Sequence, residues 1–94
     1  MNRADVLIAA KAAVESRGKA YAPPSGNFRR IAALWEPILG SPVDPHEVAL
    51  CLAALKIARL VEADGVHPDS WIDFAGYAAC GAEVTTEDDD DATS

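Results

Sequence analysis

The chain has 94 residues, half of them apolar, and a formal net charge of −7. That length makes one small domain with little room for a second core. Five of the fifteen acids sit in one run, Glu87 to Asp91, so the rest is close to balance and gives no electrostatic basis for binding duplex nucleic acid or an anionic membrane.

The sequence predicts an all-α fold, a small bundle of four helices. Asn2, three residues before Asp5, is a cap for the first, over residues 3–17, which Gly18 ends. The segment GKAYAPPSGNF, residues 18–28, carries two prolines and a further glycine, which forbid a helix through it. Ser25 then caps a second helix with Phe28, Ile31, Ala32 and Trp35 on one face. Pro37 is expected to end or kink it, and GSP at 40–42 breaks the chain. Asp44-Pro45-His46-Glu47 supplies a cap residue, a proline at the first helical position and a glutamate at the third, so the third helix starts there and runs to about residue 62. ADGVHP, residues 63–68, is a loop. Asp69 caps a fourth helix that reaches about Glu83. The single domain covers 1–84, and TTEDDDDATS, 85–94, has the composition of a disordered acidic tail.

Aromatics are few, so the core must be built from Ala, Leu, Val and Ile. So thin a core favours self-association, and a homo-oligomer is expected. Residues 48–61, VALCLAALKIARLV, are apolar at twelve of fourteen positions. The third helix should therefore be the central one or lie in a subunit interface. The fourth carries Gly76 and Gly81, at a cost of about 1 kcal/mol each against alanine; a close approach or a small-residue packing seam would account for them. Cys51 and Cys80 fall in apolar helical stretches and read as buried reduced thiols, which fits a cytoplasmic setting. VLIAA near the N-terminus is too short for a secretory core, and no apolar run is long enough to span a membrane.

Lys56 and Arg59 are the two charges of the apolar third helix and lie on one side of it. Asp69, Asp73 and Tyr77, spaced by four, share a face of the fourth. The short loop between these helices favours antiparallel neighbours, which brings the cations against the acids. Two readings satisfy the rule that a buried charge needs a partner. The cluster is an ion-pair network that fixes helix register, or a polar site in which the cations hold phosphate oxygens.

The order of these motifs resembles a small phage and prophage domain family of uncharacterised function. YAPP at 21–24, NF at 27–28, IAALW at 31–35, KIAR at 56–59 and DSWIDFAGY at 69–77 match its pattern, with Ala22 where the pattern has glycine. The layout is more distantly similar to MazG-like all-α nucleotide pyrophosphohydrolases and to phage nucleotide-modification-associated domains. The family pattern carries over to Tyr21 and Asn27 before the second helix, Lys56 and Arg59 on the third, and Asp69, Asp73 and Tyr77 on the fourth. Polar residues drawn from three elements imply a ligand-binding site.

MazG-like hydrolases hold magnesium with paired Glu-x-x-Glu and Glu-x-x-Asp motifs, because each metal needs several carboxylates. This chain has no such pair of motifs; Asp69 and Asp73 would be the metal ligands if it were a hydrolase, and otherwise no metal or cofactor is expected. His46 and His67 are not in metal-ligand spacing with either cysteine, and no phosphate loop or dinucleotide fingerprint occurs. The expected function is thus a non-catalytic, oligomeric binder of a nucleotide-like or other phosphate-bearing small molecule, acting in the host cytoplasm and sequestering a host nucleotide signal used in defence. The alternatives are a magnesium-dependent nucleotide hydrolase and a helical assembly or adaptor module.

Overall fold

The computed structural model describes the backbone of residues 1–20 and 24–93 and the side chains of 1–16 and 26–86. Four helices follow one another, α1 (Arg3–Ala20), α2 (Pro24–Leu39), α3 (Pro45–Glu62) and α4 (Pro68–Thr93), with no strand among the described residues. The fold is all-α, as the sequence predicts.

Local chemistry explains most helix starts. The Asn2 side chain accepts from the Asp5 N–H at 2.9 Å, and the Asp5 carboxylate accepts from the Asn2 N–H at 3.0 Å. At α3, Glu47 reaches back to the Asp44 N–H at 2.9 Å, and Pro45 holds the first helical position. Glu36 ties the preceding loop by accepting from the Val43 N–H at 3.3 Å. Gly65, at φ 80°, donates to the Leu60 carbonyl at 2.7 Å and closes the end of α3.

Several boundaries differ from the sequence expectation. α1 passes Gly18 and ends at Ala20, since one glycine costs too little to stop a helix. α2 begins at Pro24, so Ser25 lies in its first turn and is not its cap; the helix then passes Pro37 to end at Leu39. α4 runs to Thr93 and not to about Glu83, because no proline or glycine follows Gly81. Thr85 and Thr86 donate back to the Gly81 and Ala82 carbonyls within it. The part of the 85–94 tail beyond Thr86 lies outside the described side chains.

The core gathers Phe28, Ala32, Val48, Ala49 and Val84, with Ile31, Trp35, Leu52, Tyr77 and Cys80 packed against it. Phe28, Ile31, Ala32 and Trp35 thus face inward as their spacing predicts. α3 and α4 are antiparallel: Ala49 meets Gly81, and Lys56, further along α3, meets Asp73, further back on α4. The hub of the bundle is α4, which packs on all three other helices, whereas α3 packs on α4 and α2. α3, expected to be central or to lie in a subunit interface, thus shares the heart of the bundle with α4 and supplies Val48, Ala49, Ala53 and Leu60 to its buried residues. One half of α3 is covered, and its other half, including Leu50, Leu55 and Val61, is exposed. Cys51 is exposed with it, against the expectation of burial; Cys80 is half-buried, and neither forms a disulfide. No helix among the described residues is long and apolar enough to cross a membrane.

Candidate functional site

The α3–α4 seam carries the polar cluster. Lys56 Nζ lies 3.0 Å from an Asp73 carboxylate oxygen, with side chains 17% and 27% exposed. The pair arises because Lys56 sits on the covered side of α3, between Leu52 and Leu60, while Asp73 occupies the facing side of α4. Water reaches both groups, so the pair is neither a fully buried nor a surface one.

Arg59 and Asp69 do not repeat this arrangement. Both are exposed, and no ion pair joins them. Arg59 lies about 60° round the helix from Lys56 and is exposed in the last turn of α3. Asp69 lies in the first turn of α4, where its charge favours the helix N-terminus. It does not cap that helix as the sequence predicts. Pro68 takes the first helical position, so the cap is His67. Its Nδ1 accepts from the Ser70 N–H at 3.2 Å and lies 2.7 Å from Ser70 Oγ. The Ser70 N–H and hydroxyl thus both lie within hydrogen-bond distance of that one ring nitrogen. Ser70 is almost wholly buried, which closes this pair to a substrate.

The remaining predicted residues spread outward from the seam. Tyr77, one turn beyond Asp73, is half-buried against the core that Phe28 helps to build. Asn27, next to Phe28, is exposed in the first turn of α2. Tyr21 lies outside the described residues. The structure therefore joins Lys56 to Asp73, continues the row to Tyr77, and leaves Arg59 and Asp69 facing solvent near the same seam.

A groove of about 320 Å³ runs between α1 and α4, with Leu7, Val14, Ala75 and Ala79 in its walls. It shares no residue with the Lys56 cluster, and its polar part is the exposed Lys11–Glu15 pair at 3.6 Å. Among the described residues no three of His, Cys, Asp and Glu come together as a metal ion would require.

Residues 5–85 match the family model DUF6378, a domain of unknown function. The Gene 55 protein of Mycobacterium phage D29 is 39% identical over 71 residues, which covers 76% of this chain and 46% of that relative. The Gene 55 protein of Mycobacterium phage L5 is 36% identical over 75 residues, covering 79% and 47%. The chain thus spans about half the length of the curated relatives it matches. No solved structure matches. The matches carry no MazG-like description, so that more distant similarity gains nothing from them.

Proposed function

This chain belongs to the DUF6378 family, a phage-type domain of unknown function, and we propose that it is a non-catalytic binder of a nucleotide-like or other phosphate-bearing small molecule in the host cytoplasm. The observation that carries this reading is the α3–α4 seam. Asp73 fixes the Lys56 ammonium at 3.0 Å, and an ammonium has three donors. Arg59, one turn along, presents a planar fork in solvent without an ion pair to a described residue, the geometry suited to two phosphate oxygens. Asp73 holds Lys56 in place between visits of the anion. In a phage-infected cell such a binder would sequester a nucleotide signal of host defence.

The test is calorimetric titration of the purified chain with ATP, GTP and cyclic dinucleotides at low salt. At least one should bind, and Arg59→Gln should weaken it about tenfold or more, the loss of a charge-assisted pair. Silence across the set, or binding indifferent to Arg59, overturns the reading. A magnesium-dependent hydrolase has less support, because Asp73 is committed to Lys56 and, among the described residues, no third His, Cys, Asp or Glu joins it and Asp69. The assembly or adaptor reading is favoured by one specific observation, the uncovered apolar half of α3.

A further inference from the structure

We infer, resting on the reading of the α3–α4 seam as a phosphate site, that its ligand is a phosphodiester with a single negative charge per phosphate, of the cyclic-nucleotide kind, and not a nucleoside triphosphate. Lys56 is held 3.0 Å from an Asp73 carboxylate oxygen. Its charge is already balanced, so it lends an anion a hydrogen bond and little net attraction. Arg59 is exposed and has no ion pair to a described residue. A guanidinium fork meets two oxygens at once. A phosphodiester has two free oxygens sharing one charge, and so matches Arg59 in both geometry and charge.

The surroundings of Arg59 oppose anything more negative. The Lys56–Asp73 contact sets the register of the antiparallel pair. Arg59 lies three residues further along α3 and Asp69 four residues back on α4, so each stands about one turn from that contact toward the connecting loop. Glu62, three residues beyond Arg59, is its neighbour on the helix surface, and Asp64 follows in the loop. Glu62, Asp64 and Asp69 are all exposed, and none has an ion-pair partner among the described residues. Three carboxylates beside one uncommitted guanidinium leave this end of the hairpin net negative. A diester brings one charge, which Arg59 neutralises. A triphosphate brings several, and those beyond the first face the carboxylates across less than about one Debye length, ~10 Å at moderate salt. A phosphomonoester, at about 1.5–2 charges near neutral pH, falls between.

Calorimetric titration of the full chain at neutral pH and low salt, without divalent cations, tests it. Cyclic AMP, cyclic di-AMP, AMP and ATP share a base and sugar and differ in the phosphate; the corresponding guanosine series runs beside them, so that base preference does not hide the ranking. In whichever series binds, the tighter of the two diesters should exceed the triphosphate in affinity by at least about fivefold. Asp69→Asn should raise triphosphate affinity by about threefold or more and diester affinity by less, because the repulsion it removes grows with the charge of the ligand. Glu62→Gln should act in the same sense, and it decides if Asp69→Asn fails to fold. Silence in both series overturns the phosphate site and the diester preference together. A triphosphate that binds as tightly as either diester, or triphosphate affinity that neither substitution raises, overturns the diester preference alone and leaves the phosphate site standing.

Discussion

Gly81 lies so close to Ala49 that a Cβ placed on it would stand 3.1 Å from the Ala49 Cβ. The two helices at the heart of the bundle therefore meet through a glycine and an alanine, and no side chain separates them. Gly76 is different: a Cβ there would meet Val14 of α1 at an ordinary 3.7 Å. Gly76→Ala should stabilise the protein by up to about 1 kcal/mol, from helix propensity plus a new contact. Gly81→Ala should gain less or lose stability, and Gly81→Val should cost about 1–3 kcal/mol through overpacking. Urea melts of the three variants, compared at equal slope, check the order.

At the start of α4, His67→Ala removes the hydrogen-bond partner of the Ser70 N–H and hydroxyl, and Ser70 is a residue only 1% exposed. The expected cost is about 1–3 kcal/mol, a lost cap together with an unsatisfied buried group. His67→Asp keeps a cap acceptor and should recover most of it. Asp69→Ala should cost only about 0.3–1 kcal/mol, its favourable interaction with the helix N-terminus. A larger loss at Asp69 than at His67 would reverse the assignment of the cap.

The sequence already holds the signal for that cap. Asp44-Pro45 and His67-Pro68 have the same form, a residue followed by proline at the first helical position, yet only the first offers a common capping side chain. An imidazole is a rarer cap, so Asp69 is the more obvious candidate on paper. Spacing alone makes the four helices, the inward face of α2 and the Lys56–Asp73 partnership legible. Which apolar helix is the hub is not, because α3 and α4 are similarly apolar and the choice depends on packing of distant segments, α1 on α4 above all. Arg59 and Asp69 look paired in one dimension, but they sit in the last turn of α3 and the first turn of α4, where both are exposed.

The half-buried Lys56–Asp73 pair should couple more strongly than a surface pair. A double-mutant cycle of Lys56→Met and Asp73→Asn should give about 1–3 kcal/mol, between the values of exposed and fully buried pairs. Lys11–Glu15, with side chains 77% and 58% exposed, serves as the control and should give less than about 0.5 kcal/mol. Equal coupling in the two cycles would mean that the seam leaves Lys56 and Asp73 as well screened as a surface pair.

Stability and binding together separate a ligand site from a register device. Suppose the cluster serves only to align α3 with α4. Lys56→Met then strands Asp73 in the seam and destabilises, Asp73→Asn restores much of the loss, and Arg59→Gln changes neither stability nor any binding. In a phosphate site Arg59→Gln leaves the melting temperature where it was, because an exposed cation without an ion pair contributes little to folding. It nonetheless weakens nucleotide binding, and raising the salt concentration weakens binding in the wild type more than in the variant, since one fewer charge remains to be screened. The proposed function requires that second pattern: an Arg59 substitution silent in thermal melts and costly in titrations, with a shallower salt dependence. An Arg59→Gln variant that melts several degrees lower and binds nucleotides as the wild type does would place the residue in the scaffold and remove it from the site.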